Sequence, residues 1–364
     1  MQSLRLGLVL TLLVLLAPAL GGPSTWVSPA VAGKKASFTK RTYGVGPDAR
    51  DYWVYSPSRP ARPRPPLVVY LHGCNQTAPD AALGTRWNDL AEKHGFVVAY
   101  PEQRRPAVVN GDTNGNGYGC WNWFEPAHQS RDAGEPATIA GITREVLSTD
   151  RADASRVYLM GVSAGADMTT ILGATYPDVF AAIAPFAGCA YLTCADVTGS
   201  AAYAAMGIRR RVVPALVGQG TADPLNNFAM GETMATQQVG TADLADDGAA
   251  NGSVSRTPSR VDHVGLDASL LAGAGTVGDA CVRNRQFPCA GAAIGAKSYP
   301  YSVEHHTDST GCSVVEFWII HGLSHNYPGG DPRGSFTDSI GPDMTTATWT
   351  FFQRHRLGAA PCKG

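Results

Sequence analysis

Gly161-Val162-Ser163-Ala164-Gly165 is a Gly-x-Ser-x-Gly turn, set between a β-branched run, Arg156 to Val162, and an amphipathic run toward Tyr176. Between a strand and a helix, such a turn holds the serine in strained backbone with its hydroxyl exposed, and its glycines are needed because side chains would clash. The following helix aims its N-terminal dipole at the same point. A hydroxyl is a weak nucleophile at neutral pH, so Ser163 needs a histidine base, and the histidine needs a carboxylate to fix its tautomer. The chain order expected is Ser, then Asp or Glu, then His. Asp223 in "VGQGTADPLNN" follows a strand run and opens a turn at Pro224; His325 in "IIHGLSHNYPGG" follows the last strand run. Asp223 has the alternative role of capping its own turn. His321 competes with His325, but it falls at the strand's end and reads as a core or edge histidine. His305 and His306 are placed too far from a strand end to compete.

A tetrahedral oxyanion needs two donors, normally the N–H after the nucleophile and one from the loop behind the first core strand. Ala164 supplies the first, and the His72-Gly73-Cys74 loop lies where the second is required. The backbone N–H of Cys74 is then the useful atom. A nucleophilic Cys74 thiol has no paired base nearby in sequence. Asp112 to Gly117 imitates the start of a calcium loop, but the position that demands a bidentate Glu is Trp123. In "GCWNWFEP", Trp121, Trp123 and Phe124 are core aromatics or a wall that stacks on substrate, and Trp121 is placed at the substrate.

The elements that must hold these residues read as strands alternating with helices. Pro66–Leu71, Phe96–Tyr100, Arg156–Val162, Val213–Gly218 and Val314–Ile320 are strand runs; Ala82–His94 and Pro136–Thr149 are helical. The alternation predicts an α/β fold with a mostly parallel central sheet and ligands at the carboxyl ends of its strands. Two segments interrupt it: the turn-rich Asn110–Gly119, and an insertion of about residues 240–296, rich in Gly, Ala, Ser and Asp and expected to form a lid or a surface loop.

Arg5 precedes a nearly uncharged run, Leu6 to Leu20, that ends in small residues. This reads as a secretory signal peptide over residues 1–22, followed by one catalytic domain over 23–364. The run is short of the ~20 apolar residues of a span, so a secreted protein, extracellular or periplasmic and without a membrane partner, is expected. A net charge of −1 gives no reason to expect nucleic acid. The eight cysteines are an even set, and export favours disulfides. Local spacing makes Cys189 with Cys194 and Cys281 with Cys289 short loops, leaving Cys74, Cys120, Cys312 and Cys362. No cysteine pair has the C-x-x-C spacing of a zinc site, and no metal or cofactor is expected.

With "LHGCNQ", "YPEQ", "CWNWF", "GVSAGA", "GTADP" and "GLSHNYPGG" in that order, the chain resembles the polyhydroxybutyrate-depolymerase-like esterases, a family of α/β-hydrolases. The resemblance implies a triad of Ser163, Asp223 and His325, oxyanion binding by the Cys74 N–H, and a Cys74–Cys120 disulfide. The family's usual Trp after the catalytic histidine is replaced by Tyr327, which would then stand in the pocket wall; the stretch from Asp223 to His325 is unusually long, and no polymer-adsorbing module is visible. Within the family the overall likeness is to hydrolases of oxidised poly(vinyl alcohol), which cleave β-diketones to a carboxylate and a methyl ketone. A short-chain polyester depolymerase or a feruloyl or acetylxylan carboxylesterase is the alternative, each with a polymeric or oligomeric carbonyl substrate. A silent polymer- or carbohydrate-binding protein is the outside reading.

Overall fold

Alternate side chains of one short strand enter two different cores. Val69 and Leu71 pack with Ile139, Ile142, Leu159 and Leu172, whereas Val68 and Tyr70 pack with Trp87, Tyr158, Met160 and Phe352. This is the period-two geometry of a strand with both faces covered, and it explains why the central strands read as continuous apolar runs. In the computed structural model, which describes residues 35–45, 49–105, 115–192, 194–266 and 298–362, the described residues form one compact unit. The expected signal peptide, residues 112–114 of the calcium-like loop and residues 267–297 of the insertion lie outside the described residues.

In chain order the elements are β1 (Ser37–Tyr43), β2 (Arg50–Ser56), β3 (Leu67–Leu71), α1 (Ala78–Thr85), α2 (Trp87–His94), β4 (Val97–Pro101), α3 (Gly134–Thr149), β5 (Val157–Val162) and α4 (Ala164–Thr175). They continue with β6 (Ala182–Phe186), α5 (Ser200–Met206), β7 (Ala215–Gly220), α6 (Phe228–Asp247), β8 (Arg260–Val264), β9 (Tyr301–Thr307) and β10 (Ser313–Ile320), then β11 (Tyr327–Pro328), β12 (Thr337–Asp338) and α7 (Met344–Phe352). Ten strands make one sheet in the order β1-β2-β4-β3-β5-β6-β7-β10-β9-β8. Its six inner strands, from β4 to β10, run parallel, while β1, β2, β9 and β8 join antiparallel at the edges. Helix α4 is buried along its whole length, as its apolar composition requires.

Several elements depart from the sequence reading. The single helix expected over Ala82–His94 is two, because Arg86 takes a left-handed φ of 60° between α1 and α2. The supposed loop from residue 240 begins as the last two turns of α6 and later supplies edge strand β8. His305 and His306 lie inside β9, a strand the sequence reading omitted. Strand β6 was also omitted: "AIAPF" is short, carries Pro185, and is nonetheless paired on both sides. Among the described residues, no helix is long and apolar enough to cross a membrane.

On the face covered by α7, Trp349 stacks on Phe96 with ring centroids 4.0 Å apart and meets Tyr158 edge-on. Replacing Trp349 by Ala is expected to lower unfolding free energy by about 3–5 kcal/mol, measured as a shifted denaturation midpoint with an unchanged slope.

Candidate active site

Strand pairing gathers the site before any side chain is considered. Leu71 at the end of β3 lies opposite Gly161 in β5, so the His72-Gly73-Cys74 loop and the Ser163 turn emerge side by side. Chain order changes direction across the sheet between β3 and β5, the kind of switch point where open α/β sheets form a crevice. Gly220 of β7 lies opposite Ile320 of β10, and Asp223 and His325 follow from those ends.

Ser163 has φ 56° and ψ −127°, a strained conformation for a residue with a side chain. Its backbone is clamped on both sides: its N–H donates to the Phe186 carbonyl at 3.0 Å, and its carbonyl accepts from Ala166 and Asp167 at 2.7 and 3.0 Å. A Cβ added to Gly165 would come 2.2 Å from the Leu71 carbonyl oxygen, and one added to Gly73 would come 3.3 Å from the Ser163 Cβ. The loop after β3 therefore packs directly against the serine. Among the described residues, the amides of Cys74 and Ala164 have no hydrogen-bond acceptor. Ala164 opens α4, so its N–H belongs to the orphan set of a helix N-terminus.

His325 and Asp223 meet with Nδ1 to Oδ2 at 2.7 Å, the carboxylate wholly buried and the imidazole nearly so. The turn-capping alternative for Asp223 is realised at the same time. Its Oδ1 accepts the N–H groups of Leu225 and Asn226, both at 2.9 Å, which leaves Oδ2 for the histidine. Gln219 donates to Oδ2 at 3.3 Å. The two loops are fastened together by Ala222 donating to the Leu323 carbonyl and Gly322 donating to the Thr221 hydroxyl. An imidazole held this way at Nδ1 has Nε2 available for proton transfer.

The loop after β3 rests on buried groups for which the sequence reading had no role. His72 accepts the Gln103 N–H at Nε2, 3.0 Å away, so its Nδ1 carries the proton and donates to the Gly73 carbonyl at 2.8 Å. Burial pulls its pKa down to about 4, keeping it neutral. Gln76 accepts the Gly73 N–H and donates to the Ser335 carbonyl, each at 2.9 Å. Glu135, at the start of α3, accepts from Asn122 N–H at 2.7 Å, from the Asn122 amide at 3.1 Å, and from Gln103, whose Nε2 also reaches the Cys120 carbonyl. Burial raises the Glu135 pKa. Polar residues inside otherwise apolar motifs were the only trace of this network in the sequence.

Two expected substrate residues are placed otherwise. Trp121 is 1% exposed and its indole N–H donates to the His72 carbonyl at 3.0 Å, so it fastens the loop from behind and offers no face to a ligand. Tyr327 is also 1% exposed, with its hydroxyl 2.8 Å from that of Thr345, and it belongs to the core. Of the aromatic cluster it is Phe124 that is exposed, with Trp123 half-buried against it. His321 is buried, 2.9 Å from the Ser302 hydroxyl, and His305 lies 3.0 Å from Asp262 near the β8 edge. Disulfides join Cys74 to Cys120, Cys189 to Cys194 and Cys312 to Cys362; Cys281 and Cys289 lie outside the described residues. His355 lies beside the Cys312–Cys362 pair, but those sulfurs are spent on each other and offer no thiolate to a metal.

Residues 50–220 match the family model described as esterase PHB depolymerase. Poly(3-hydroxyalkanoate) depolymerase C of Paucimonas lemoignei is 40% identical over 159 residues, covering 43% of this chain and 36% of that protein. Over residues 50–220, a little under half of its length, the chain is similar to the PHB-depolymerase-like esterases. Feruloyl esterase B of Neurospora crassa is 36% identical over 44% of this chain and 52% of its own length, and a probable acetylxylan esterase A of Aspergillus fumigatus is 32% identical over 43% and 40%. The chain thus spans about half or less of the length of these curated relatives of the esterase family. An acetyl xylan esterase from Aspergillus awamori, 19% identical, superposes with a TM-score of 0.55 over 79% of this chain and 94% of that one, so the fold is that of the α/β-hydrolase esterases. The esterase-family match includes Cys74 and Ser163 and ends before Asp223.

Asp167, one turn into α4, is buried and accepts the Cys189 N–H at 2.6 Å. Burial pushes its pKa up to about 8, so the folded protein keeps it protonated where the unfolded chain ionises it near 3.8. The folded state binds the extra proton through that window, so this group's contribution is full below pH 4 and is lost as pH rises toward 8. Asp167→Asn, which keeps an acceptor for Cys189, is expected to match the wild type in stability near pH 4 and to gain on it progressively up to pH 8, followed by denaturation midpoints across pH.

Proposed function

We propose that this chain is a serine hydrolase of carboxylic esters that works through an acyl-serine intermediate. The observation that carries the reading is the left-handed Ser163 between β5 and α4, on the same sheet edge as the His325–Asp223 pair at 2.7 Å. As Oγ of Ser163 bonds to the ester carbon, Nε2 of His325 takes its proton, and Asp223 stabilises the imidazolium. The carbonyl electron pair moves onto oxygen, where the N–H groups of Cys74 and Ala164 receive the charge. Collapse expels the alkoxide with the proton from His325, and water then repeats the sequence to release the acid.

Ester substrates are supported by the match over residues 50–220 and by relatives named as a depolymerase and as feruloyl and acetylxylan esterases. A second reading, the β-diketone cleavage implied by the sequence resemblance to hydrolases of oxidised poly(vinyl alcohol), needs only the same groups: the departing carbon leaves as an enolate and takes the proton from His325. Three disulfides among the described residues support an oxidising compartment outside the cytoplasm.

A fluorophosphonate probe is expected to label the wild type and not Ser163→Ala; equal labelling of both would remove the serine from the reaction. Turnover of p-nitrophenyl butyrate and of a soluble β-diketone, measured side by side, separates the two readings, since only the second predicts comparable rates on the diketone. Cys120→Ala, which frees Cys74 from its bridge, is expected to lower kcat by about 10²-fold, the scale of one lost oxyanion donor, with a much smaller change in KM. Full activity in that variant would mean that the Cys74 amide needs no such support.

A further inference from the structure

Phe336 is a bulky residue at φ 53°, and it is 41% exposed. The left-handed region costs such a residue on the order of 1–3 kcal/mol, and a half-exposed ring recovers little by packing. The surrounding chain imposes the conformation. Ser335 donates to Asp80 through both its N–H, at 3.0 Å, and its hydroxyl; its carbonyl accepts from Gln76 at 2.9 Å. The Phe336 carbonyl accepts the Tyr327 N–H at 2.7 Å, and Thr337 pairs with Tyr327 in the small β11–β12 sheet. Gln76 and Tyr327 are also the residues that tie this loop to the site, the first through Gly73 and the second through its place two residues after His325.

Two further exposed apolar side chains are attached in the same way. Tyr118, 72% exposed, accepts at its carbonyl the N–H of Asn75, the neighbour of Cys74, at 2.7 Å. Leu225, 66% exposed, donates its N–H to the Oδ1 of Asp223. Scattered exposed apolar residues need no explanation. These three differ because each is fastened to a different part of the site: the Cys74 loop, the His325 strand end and the Asp223 turn.

We propose that Phe336, Tyr118 and Leu225 form an apolar subsite on the rim of the Ser163 cleft, which takes an aliphatic acyl chain longer than acetyl. The proposal rests on the serine-hydrolase reading above and narrows its substrate. An aliphatic occupant is favoured because none of the three side chains is charged and, apart from the Tyr118 hydroxyl, they offer no polar group to pair with the hydroxyls of a sugar.

Initial rates on p-nitrophenyl acetate, butyrate and octanoate, with acetylated xylan alongside, test it. The wild type is expected to prefer butyrate and octanoate to acetate in kcat/KM, and the triple variant Phe336→Ser, Tyr118→Ser, Leu225→Ser to lose about tenfold of the octanoate-to-acetate ratio. Ile208→Ser, which removes a still more exposed apolar residue outside the rim, is expected to keep the wild-type ratio. Phe336→Gly supplies a second readout: the strain disappears with the ring, so Tm should hold or rise by a few degrees while the ratio falls. An unchanged ratio in the triple variant, or acetylated xylan as the better substrate of the wild type, would overturn the subsite. Fluorophosphonate labelling of Ser163 keeps the two levels apart: labelling with an unchanged ratio sinks only the subsite, whereas no labelling sinks the hydrolase reading itself.

Discussion

The approach of α4 to the end of β3 leaves no room for a side chain at Gly165, where a Cβ would lie 2.2 Å from the Leu71 carbonyl oxygen. That contact sets the angle at which the chain leaves β5, and with it the left-handed backbone of Ser163 and the direction of the Ala164 amide. It also brings the loop after β3 against the serine, because the strand being approached is the one that ends in His72 and Gly73. The cost of holding Ser163 off the ordinary regions of backbone space is met by the surrounding hydrogen bonds to Phe186, Ala166 and Asp167.

A serine held rigidly is of use only if the donors around it are equally fixed. The loop carrying Cys74 is restrained covalently by Cys120, from behind by Trp121 and Gln103 acting through His72, and from the front by Gln76. Glu135 gathers Asn122 and Gln103, so the segments after β4 and around Cys120 share one buried carboxylate. Each member has its polar groups engaged by another, which is the condition under which a buried polar network adds rigidity. The Asp223–His325 pair is built on the same plan, with one carboxylate oxygen spent on its own turn and the other on the imidazole.

Much of this was legible in the sequence because it depends on local pattern. The strand-turn-helix context of Ser163, the positions of Asp223 and His325 after apolar runs, and the five inner strands that were read all follow from periodicity and turn chemistry. Burial of aromatic side chains was not legible. "CWNWF" offers five consecutive residues with no sign of which face is inside, and the structure buries Trp121 while exposing Phe124. Tyr327 was misplaced for a related reason: its nearness to His325 along the chain says nothing about a side chain that turns inward to Thr345. The antiparallel strands β1, β2, β8 and β9 escaped because their mixed polar pattern depends on partners elsewhere in the chain, and β6 because Pro185 argues against a central strand.

The proposed mechanism is at heart geometric, with Ser163 proposed as the nucleophile and the amides of Cys74 and Ala164 as the hole for its oxyanion. A crystal structure of the protein after reaction with a small alkyl fluorophosphonate addresses it directly, since the tetrahedral phosphorus imitates the intermediate. The expected result is phosphorus bonded to the Ser163 Oγ, with the phosphonyl oxygen within about 3 Å of both amide nitrogens. An adduct on another residue, or a phosphonyl oxygen turned to solvent away from Cys74, would contradict it.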